Sequence, residues 1–259
     1  MPIKPKVCVL RTAGTNCDKE TAFAFFKAGA QAEFIHINSL LSRQICLHDY
    51  HILAIPGGFS YGDDIAAGKI QANELRFKLN SDIRKFISDG KLIIGICNGF
   101  QVLVKSGFLP GNKELEQETS LIINDSGKFE DRWVHLKSSQ SKCVWTKNLP
   151  EVIYLPVAHG EGKFITKDRS VLERLKNNGQ VVFSYCDEKG KFADYPFNPN
   201  GSTDGIAGIC DETGRILGLM PHPERHAEIS QHPRWPKGKR QGDGLQIFLN
   251  GIDYVKANL

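Results

Sequence analysis

Short apolar runs alternate with helix-like stretches along the first part of the chain. Four runs are rich in aliphatic residues, at Val7 to Leu10, Phe34 to Ile37, Ile52 to Ile55 and Leu92 to Ile96. Such continuous runs are expected for strands covered on both faces of a parallel sheet. Helical spacing predicts one helix from Glu20 to Lys27, with Asp18 as its N-cap, and a second from Leu75 to Ile87. The pattern therefore predicts βαβ units with helices on both faces of a sheet.

The second part of the chain is richer in strands than in helices. Its apolar runs are Leu121 to Ile123, Trp133 to Leu136, Val152 to Leu155, Val181 to Tyr185, Ile206 to Cys210 and Ile216 to Met220. Strands without intervening helices predict antiparallel hairpins at one edge of the sheet. A last helix is predicted from Gly244 to Val255. We expect residues 1–259 to form a single α/β domain of three layers, with a mostly parallel central sheet plus an added antiparallel strand-rich region.

The composition excludes several classes of protein but does not indicate which reaction, if any, the chain catalyses. Of the 259 residues, 41% are hydrophobic and 24% charged, which excludes collagen-like, disordered and disulfide-scaffold proteins. The net charge of +4 is too small to indicate a nucleic-acid partner. No apolar run is long enough for a membrane span, and the first six residues lack the apolar core of a signal peptide. We therefore expect a cytoplasmic protein that binds neither nucleic acid nor membrane.

Seven cysteines are scattered through core-like segments, at positions 8, 17, 46, 97, 143, 186 and 210. No two are separated by two residues, so the spacing of zinc ribbons and thioredoxin-like motifs is missing. Other metal-ligating residues are not clustered along the sequence, and no metal site is predicted. Together with the cytoplasmic expectation, this pattern indicates reduced thiols.

Cys97 carries the strongest local signal of chemistry. It follows the most apolar run of the chain and stands between Gly95 and Gly99, at the start of a short helical stretch. A nucleophile on a tight strand-to-helix turn needs small neighbours at these two positions, as in the Gly-x-Ser-x-Gly elbow. The helix N-terminus then favours the thiolate. None of the other six cysteines has glycine at both positions, so Cys97 is the predicted nucleophile rather than a packing residue.

A base for this thiol is predicted just after the apolar run that ends at Met220. His222 and Glu224 are two residues apart and project to the same side of an extended chain, while the intervening proline restricts the backbone. Glu224 can then orient one imidazole nitrogen while the other faces the thiol. The downstream Pro-Cys-x-x-Cys of zinc deaminases is absent. Taken alone, the motif is equally compatible with a strand-end histidine beside a surface glutamate.

Two glycine turns also stand at predicted strand ends. Gly57 and Gly58 follow the third apolar run, and Gly14-Thr15-Asn16 follows the first. Paired glycines can aim a backbone N–H at a developing oxyanion. Ligands of open α/β sheets bind at the carboxyl ends of the strands. Each turn on its own is also compatible with an ordinary tight turn.

Taken together, these motifs resemble the class I (triad) glutamine amidotransferases, and among them the glutaminase subunits that serve purine biosynthesis. The blocks that carry the resemblance begin at Gly14 (Gly-Thr-Asn-Cys-Asp), Gly57 (Gly-Gly-Phe-Ser-Tyr-Gly-Asp), Ala158 (Ala-His-Gly-Glu-Gly), Tyr195 (Tyr-Pro-Phe-Asn-Pro-Asn-Gly-Ser) and Met220 (Met-Pro-His-Pro-Glu-Arg). The resemblance covers most of the chain and implies a flavodoxin-like fold. Two segments depart from the family pattern, Arg11 to Ala13 and Asp64 to Ala67.

The resemblance assigns roles to residues of these motifs. The implied catalytic residues are Cys97 as nucleophile, His222 as base and Glu224 as its orienting group. The implied oxyanion hole consists of backbone N–H groups at Gly58, Phe59 and Asn98. The implied contacts to the substrate glutamine are Gln101, Gly57, Thr15 and Asn16.

Partners and cofactors are implied in the same way. Ammonia released from glutamine would pass to a separate synthase subunit, with or without a small accessory subunit. That synthase would use ATP and Mg²⁺ to convert formylglycinamide ribonucleotide to its amidine. Since this sequence has no Walker-A phosphate loop, no cofactor is expected in this chain.

Three other functions are compatible with the same motifs. A cysteine hydrolase of γ-glutamyl peptides would share the elbow and the histidine and act without a partner. A different amidotransferase would serve another synthase. A non-enzymatic redox sensor would keep a reactive Cys97 but would not need Glu224. The basic segment from Arg234 to Arg240 is expected to be a solvated loop or a contact for the synthase.

Overall fold

Nine strands form one continuous sheet, and two more form a small separate sheet. The computed structural model describes residues 3–111, 114–234 and 241–259. The strands are β1 (Lys6–Arg11), β2 (Gln31–His36), β3 (Ile52–Ile55), β4 (Leu92–Ile96), β5 (Thr119–Ile122), β6 (Glu130–Ser138), β7 (Val152–His159), β8 (Lys163–Thr166), β9 (Val181–Cys186), β10 (Ile206–Cys210) and β11 (Ile216–Leu219). The α-helices are α1 (Asp18–Lys27), α2 (Ile37–Leu41), α3 (Lys69–Phe77), α4 (Asn80–Ser88), α5 (Asn98–Ser106), α6 (Arg169–Asn177) and α7 (Leu245–Asn258).

The large sheet has two halves with opposite strand pairing. Its order is β2-β1-β3-β4-β11-β10-β9-β6-β7. The parallel half consists of β2, β1, β3, β4 and β11, which all run in one direction. The antiparallel half consists of β10, β9, β6 and β7, each opposed to its neighbours. The predicted fold is confirmed, and the order β2-β1-β3-β4 is that of flavodoxin-like sheets.

Burial patterns differ between the halves as their surroundings require. Every residue of β3, β4 and β11 is buried, whereas in β7 every second residue is buried. Strands of a parallel sheet are covered by helices on both faces, while an outer antiparallel strand needs only one covered face. Both sequence patterns therefore follow from one rule: apolar residues occupy each covered face of a strand. Strands covered on two faces are continuously apolar, and strands covered on one face alternate.

Helices cover both faces of the parallel half. The strand order reverses at β1, so right-handed crossovers place α1 on one face and the α3–α4 pair on the other. On the first face, Phe25 of α1 packs edge-to-face against Phe248 of α7, with ring centroids 4.9 Å apart. On the second, Gly68 lets the start of α3 approach α5, because a Cβ there would lie 2.9 Å from Cγ2 of Val102.

Local details depart from the sequence predictions at two helices. The single helix expected from Leu75 to Ile87 is wrong: α3 ends at Phe77 and α4 begins at Asn80. The Asn-Ser-Asp start of α4 supplies residue types that favour a new first turn. Asp18 is the first residue of α1 rather than its N-cap, since its carboxylate binds Arg11 at 2.8 Å. Cys17 takes the N-cap position instead.

Two predictions concern the exterior of the molecule. In the described ranges, no helix combines the length and the apolarity that crossing a membrane requires. The basic segment is only partly described: Arg234 is included, whereas residues 235–240 lie outside the described residues.

Candidate active site

Cys97 stands on a strained turn between β4 and α5. Its backbone has φ 50° and ψ −106°, a combination that non-glycine residues avoid. Room for the turn comes from the flanking glycines. A Cβ on Gly99 would overlap the Ile55 carbonyl, and a Cβ on Gly95 would lie 2.5 Å from the Gly99 carbonyl oxygen. The elbow geometry therefore depends on glycine at both positions.

The histidine reaches this turn because β11 is inserted beside β4. The two strands are parallel, with Leu219 opposite Ile96, and the N–H of Cys97 donates to the Leu219 carbonyl at 2.8 Å. Three residues after β11, the N–H of His222 donates to the Pro156 carbonyl of β7 at 2.8 Å. Two parallel strand ends thus bring together residues that are 125 positions apart in the sequence.

His222 and Glu224 form a buried pair behind Cys97. Nδ1 of His222 lies 2.6 Å from Oε1 of Glu224, and the two side chains are 2% and 0% exposed. Burial by itself would lower the pKa of His222, but the Glu224 carboxylate and the Cys97 thiolate together raise it well above its usual 6.5. An imidazole with this pKa readily holds a proton taken from a thiol. The arrangement is that of a base with its orienting carboxylate.

The predicted oxyanion donors are not equally placed. The Phe59 N–H is already engaged, since it donates to the Gly14 carbonyl at 2.9 Å. The N–H groups of Gly58 and Asn98 have no backbone acceptor within the described residues. Gly58 has φ 145°, and a Cβ there would lie 2.6 Å from the Gly14 carbonyl oxygen. The geometry therefore disfavours Phe59 and leaves Gly58 and Asn98 as the candidate donors.

A cleft of about 160 Å³ opens over the thiol. This is the space of about five water molecules, enough for one amide-bearing side chain. The lining of the cleft includes Gly58 and Phe59, then Cys97 and Gln101, and a wall formed by residues 158–161. Sγ of Cys97 lies 3.7 Å from the Ala158 carbonyl oxygen of that wall. The cleft thus brings a candidate nucleophile together with backbone groups of two other segments.

Hydrogen bonds from two polar side chains, Asn98 and Gln101, connect the segments that line the cleft. Oδ1 of Asn98 accepts from the Ser60 N–H at 3.1 Å, and its Nδ2 donates to Oε1 of Gln101 at 2.9 Å. Nε2 of Gln101 in turn donates to the Glu161 carbonyl at 2.6 Å. Gln101 therefore lines the cleft and links the start of α5 to the segment after β7 by hydrogen bonds. Direct contact between Gln101 and glutamine stays a prediction.

Comparisons with known proteins identify the family of this chain. The model of the CobB/CobQ-like glutamine amidotransferase domain matches residues 4–255. A phosphoribosylformylglycinamidine synthase subunit PurQ from Dehalococcoides mccartyi is 50% identical over 257 residues, which cover 98% of each chain. One from Methanococcus maripaludis is 46% identical over 268 residues, which cover 97% of this chain and 98% of the relative.

A solved structure extends the comparison to the fold. A chain in the structure of PurLQS from Thermotoga maritima superposes with a TM-score of 0.76 at 32% identity, covering 97% of this chain and 99% of that one. The chain belongs to the PurQ family of glutamine amidotransferases. The resemblance seen in the five motif blocks is thereby confirmed.

Three residues of the two glycine turns in this amidotransferase, Thr15, Asn16 and Gly57, support the cleft without lining it. The carbonyl of Gly57 accepts the N–H groups of Asn16 and Cys17, at 3.3 and 3.2 Å. Oγ1 of Thr15 accepts from the Thr12 N–H at 3.0 Å. Of the described residues that line the cleft, none is Thr15, Asn16 or Gly57. Their predicted contact with glutamine stays untested, while their observed role is to fix the Gly58 loop.

His159 is a site residue to which sequence reasoning assigned no chemistry. It ends β7, is 3% exposed, and lines the cleft of the amidotransferase. Burial, and next the charge of His222, lower its pKa to about 3. Its imidazole lies flat on Gly162, where a Cβ would overlap the ring. The Ala-His-Gly-Glu-Gly block was the available signal, but its spacing did not reveal a role for the histidine.

A groove larger than this cleft lies elsewhere on the described part of the amidotransferase. An open groove of about 850 Å³ on the antiparallel half is lined by residues 137–142, 146–149 and 151 together with Gly179. It holds none of the triad residues and is lined mainly by lysine, serine and other polar side chains. Volume alone would select this groove, whereas the convergence of a nucleophile, a base and free N–H groups selects the small cleft.

Proposed function

We propose that this chain is the glutaminase subunit of a phosphoribosylformylglycinamidine synthase, with Cys97, His222 and Glu224 as its catalytic triad. The observation that carries the proposal is the strained Cys97 elbow backed by the buried His222–Glu224 pair, 2.6 Å apart. Relatives named PurQ at up to 50% identity support the choice of synthase. The whole of residues 1–259 acts as one amidotransferase domain.

Catalysis begins with proton transfer from Cys97 to His222. Nε2 of His222 accepts the thiol proton, while Glu224 on Nδ1 stabilises the resulting imidazolium. The thiolate attacks the side-chain amide carbon of glutamine, and the carbonyl electron pair moves to oxygen. The raised pKa of His222 favours the first half of this exchange.

The oxyanion is then held by backbone donors. The N–H groups of Gly58 and Asn98, which have no backbone acceptor in the described chain, take this role. Each such donor stabilises a tetrahedral intermediate by roughly 3–4 kcal/mol. His222 next gives its proton to the amide nitrogen, ammonia leaves, and a γ-glutamyl thioester remains on Cys97. Water, deprotonated by His222, hydrolyses the thioester to glutamate and restores the thiol.

The released ammonia is used by a partner. A synthase subunit converts formylglycinamide ribonucleotide to its amidine with ATP and Mg²⁺, and the glutaminase chain itself needs no cofactor. The relative in the PurLQS structure supports an assembly with further subunits. We place this reaction in the cytoplasm.

Glutamine-dependent and ammonium-dependent synthesis separate the two halves of this proposal. In the assembled complex, C97A is expected to abolish amidine formation from glutamine and to leave formation from added ammonium salt intact. Loss of both activities in a correctly assembled complex would refute the division of labour. The exposed-thiol variant C46S is the matched control and keeps both activities.

The partner requirement separates this function from its rivals. Glutaminase activity is measured with and without the synthase, ATP and the substrate nucleotide. A large increase on adding all three supports the proposal. Full activity of the isolated chain would instead indicate a stand-alone γ-glutamyl hydrolase, and stimulation by a different synthase would indicate another amidotransferase.

A further inference from the structure

A second thiol lies beside the catalytic imidazole. Cys17 is the N-cap of α1 and is 1% exposed. A Cβ placed on Gly57 would lie 2.9 Å from Cε1 of His222, 3.1 Å from Sγ of Cys17 and 3.5 Å from Cβ of Cys97. Three chemically reactive side chains therefore pack around a single point of the backbone, and only the missing side chain of Gly57 makes room for them.

The free groups at this point are those that bind metals. Sγ of Cys17, a ring nitrogen of His222 and a carboxylate oxygen of Glu224 lie within 4.8 Å of one another, and all three residues are buried. Oε2 of Glu224 has no hydrogen-bond partner within the described residues. The imidazole of His222 contacts the thiols of Cys17 and Cys97, and both contacts raise its pKa. Because Glu224 holds Nδ1 at 2.6 Å, Nε2 is the nitrogen left for a ligand. A carboxylate on the far nitrogen is the usual support of a metal-binding histidine.

A partly buried arginine also contacts the thiol of Cys17. Nη2 of Arg225 donates to Sγ of Cys17 at 3.1 Å. Burial raises the pKa of this thiol, and the contacts with His222 and Arg225 oppose that rise in part. Arg225 is itself held by Glu20 at 3.4 Å. Cys17, His222 and Glu224 thus form one buried cluster. The thiol of Cys97 lies outside this cluster but contacts the same imidazole.

This donor set selects one class of metal. Thiolate and imidazole together suit Zn²⁺, with Zn–S near 2.3 Å and Zn–N near 2.0 Å, whereas Mg²⁺ and Ca²⁺ require oxygen ligands. The two charges of Zn²⁺ also balance two thiolates that burial otherwise disfavours. A Cys₂His set leaves the fourth tetrahedral position for water.

We propose that Cys17, Cys97 and His222 form an inhibitory Zn²⁺ site, with Glu224 orienting the imidazole. The inhibitory effect rests on the proposed function, because the metal would occupy the nucleophile and the base of glutamine hydrolysis. On binding, Cys17 and Cys97 bond to zinc as thiolates and His222 as a neutral imidazole, so the protons held by these three groups pass to solvent, and no electron transfer takes place. Cys17 supplies the ligand that an isolated Cys97–His222 pair lacks.

Cobalt titration tests the site without reference to activity. Co²⁺ is added to the full chain with a phosphine reductant present, and thiolate-to-cobalt absorption in the near ultraviolet is followed. One equivalent is expected to bind the wild type, and added Zn²⁺ displaces it. C17S weakens this binding by at least about 100-fold, since loss of a ligand costs no less than loss of its outer support. The exposed-thiol control C46S binds as the wild type does.

Alkylation provides a second measurement that needs no variant. In the wild-type chain, Zn²⁺ is expected to protect both Cys17 and Cys97 from iodoacetamide, mapped by peptide mass, and to leave Cys46 reactive. This measurement decides the matter if C17S fails to fold. Equal cobalt affinity of C17S and wild type, or zinc protection of Cys97 with Cys17 unprotected, overturns the proposal.

Inhibition links the site to the reaction. In the assembled complex, Zn²⁺ is expected to suppress glutaminase activity reversibly, with a chelator restoring it. The half-inhibitory Zn²⁺ concentration of C17S, measured against its own uninhibited rate, is expected to rise at least about 100-fold relative to C46S. A complex with no glutaminase activity at all would defeat the proposed function, and the cobalt titration would still decide the metal site.

Discussion

The parallel and antiparallel halves of the large sheet contribute to the same cleft in different ways. The parallel half places reactive side chains: Cys97 follows β4 and His222 follows the adjacent β11. The antiparallel half places a wall, which residues 158–161 form at the end of β7. Adjacent parallel strands end on the same side of a sheet, so residues distant in sequence meet there. Chemistry is therefore concentrated at one edge, and the added strands enclose it.

The two halves also differ in the pKa of the buried histidine that each contributes to the site. His222, after β11, has its pKa raised well above 6.5 because Glu224 and Cys97 outweigh the effect of burial. His159, at the end of β7, has its pKa lowered to about 3 by burial and by His222. One imidazole is equipped to carry a proton, and the other stays neutral against the cleft.

The largest loss of glutaminase activity is expected when His222, the catalytic base that follows β11 of the parallel half, is removed. H222A should lower the glutaminase kcat of the assembled complex by roughly 10⁴–10⁶-fold, as for other triad histidines. Ammonium-dependent synthesis should persist. The control H48A changes a partly buried histidine that lies 3.6 Å from Asp89 and outside the cleft, and it should retain activity. A fully active H222A would remove this residue from the mechanism.

The orienting carboxylate should matter less than the base. E224Q keeps the shape of the side chain and removes the charge that stabilises the imidazolium, so a loss of roughly 10²–10⁴-fold in kcat is expected. The pKa of His222, followed by NMR, should fall in the same variant. An unchanged His222 pKa would contradict the role given to Glu224.

Alanine substitution of one glycine in each half tests whether the elbow has less free space for a side chain than the turn after β7. G99A should destabilise the chain by at least about 3 kcal/mol in urea unfolding, because its Cβ would overlap the Ile55 carbonyl. G160A, in the turn after β7, should cost less than about 1 kcal/mol, since its Cβ would meet only Phe129 at 3.9 Å. Equal losses would show that the elbow is not the tighter of the two turns.

The neutral histidine predicts a pH dependence of stability. The unfolded state gains a proton on His159 below pH 6.5, whereas the folded state does so only near pH 3. Stability is therefore fully present above pH 6.5 and is lost as the pH falls. Between pH 7 and pH 5 the loss from this group should be about 2 kcal/mol. In H159Q this part of the slope should vanish. An identical slope in both proteins would contradict the neutral buried state.

The sequence was more informative about the parallel half than about the antiparallel half. Continuous apolar runs identified β1, β3, β4 and β11, and the flanking glycines identified the Cys97 elbow. Outside the parallel half, the pattern misses β8 and α6, because short or strongly polar amphipathic segments give a weak periodic signal. The break between α3 and α4 was missed because their apolar spacing continues across it.

Contacts between distant segments could not be predicted from local pattern. Nothing near Cys17 indicates that it approaches His222, because that contact depends on where the strand order places two loops. The engagement of the Phe59 N–H likewise depends on a bridge between Thr15 and Gly58. The sequence indicates which residues are reactive, and the sheet order determines which of them meet.

The central claim is that Cys97, and not the neighbouring Cys17, is the nucleophile. Its most direct test is covalent labelling of the assembled complex with a chloroketone analogue of glutamine, followed by peptide mass mapping. The account predicts one adduct per chain, on Cys97, with loss of glutamine-dependent synthesis and retention of ammonium-dependent synthesis. An adduct on Cys17 with Cys97 unmodified would contradict it.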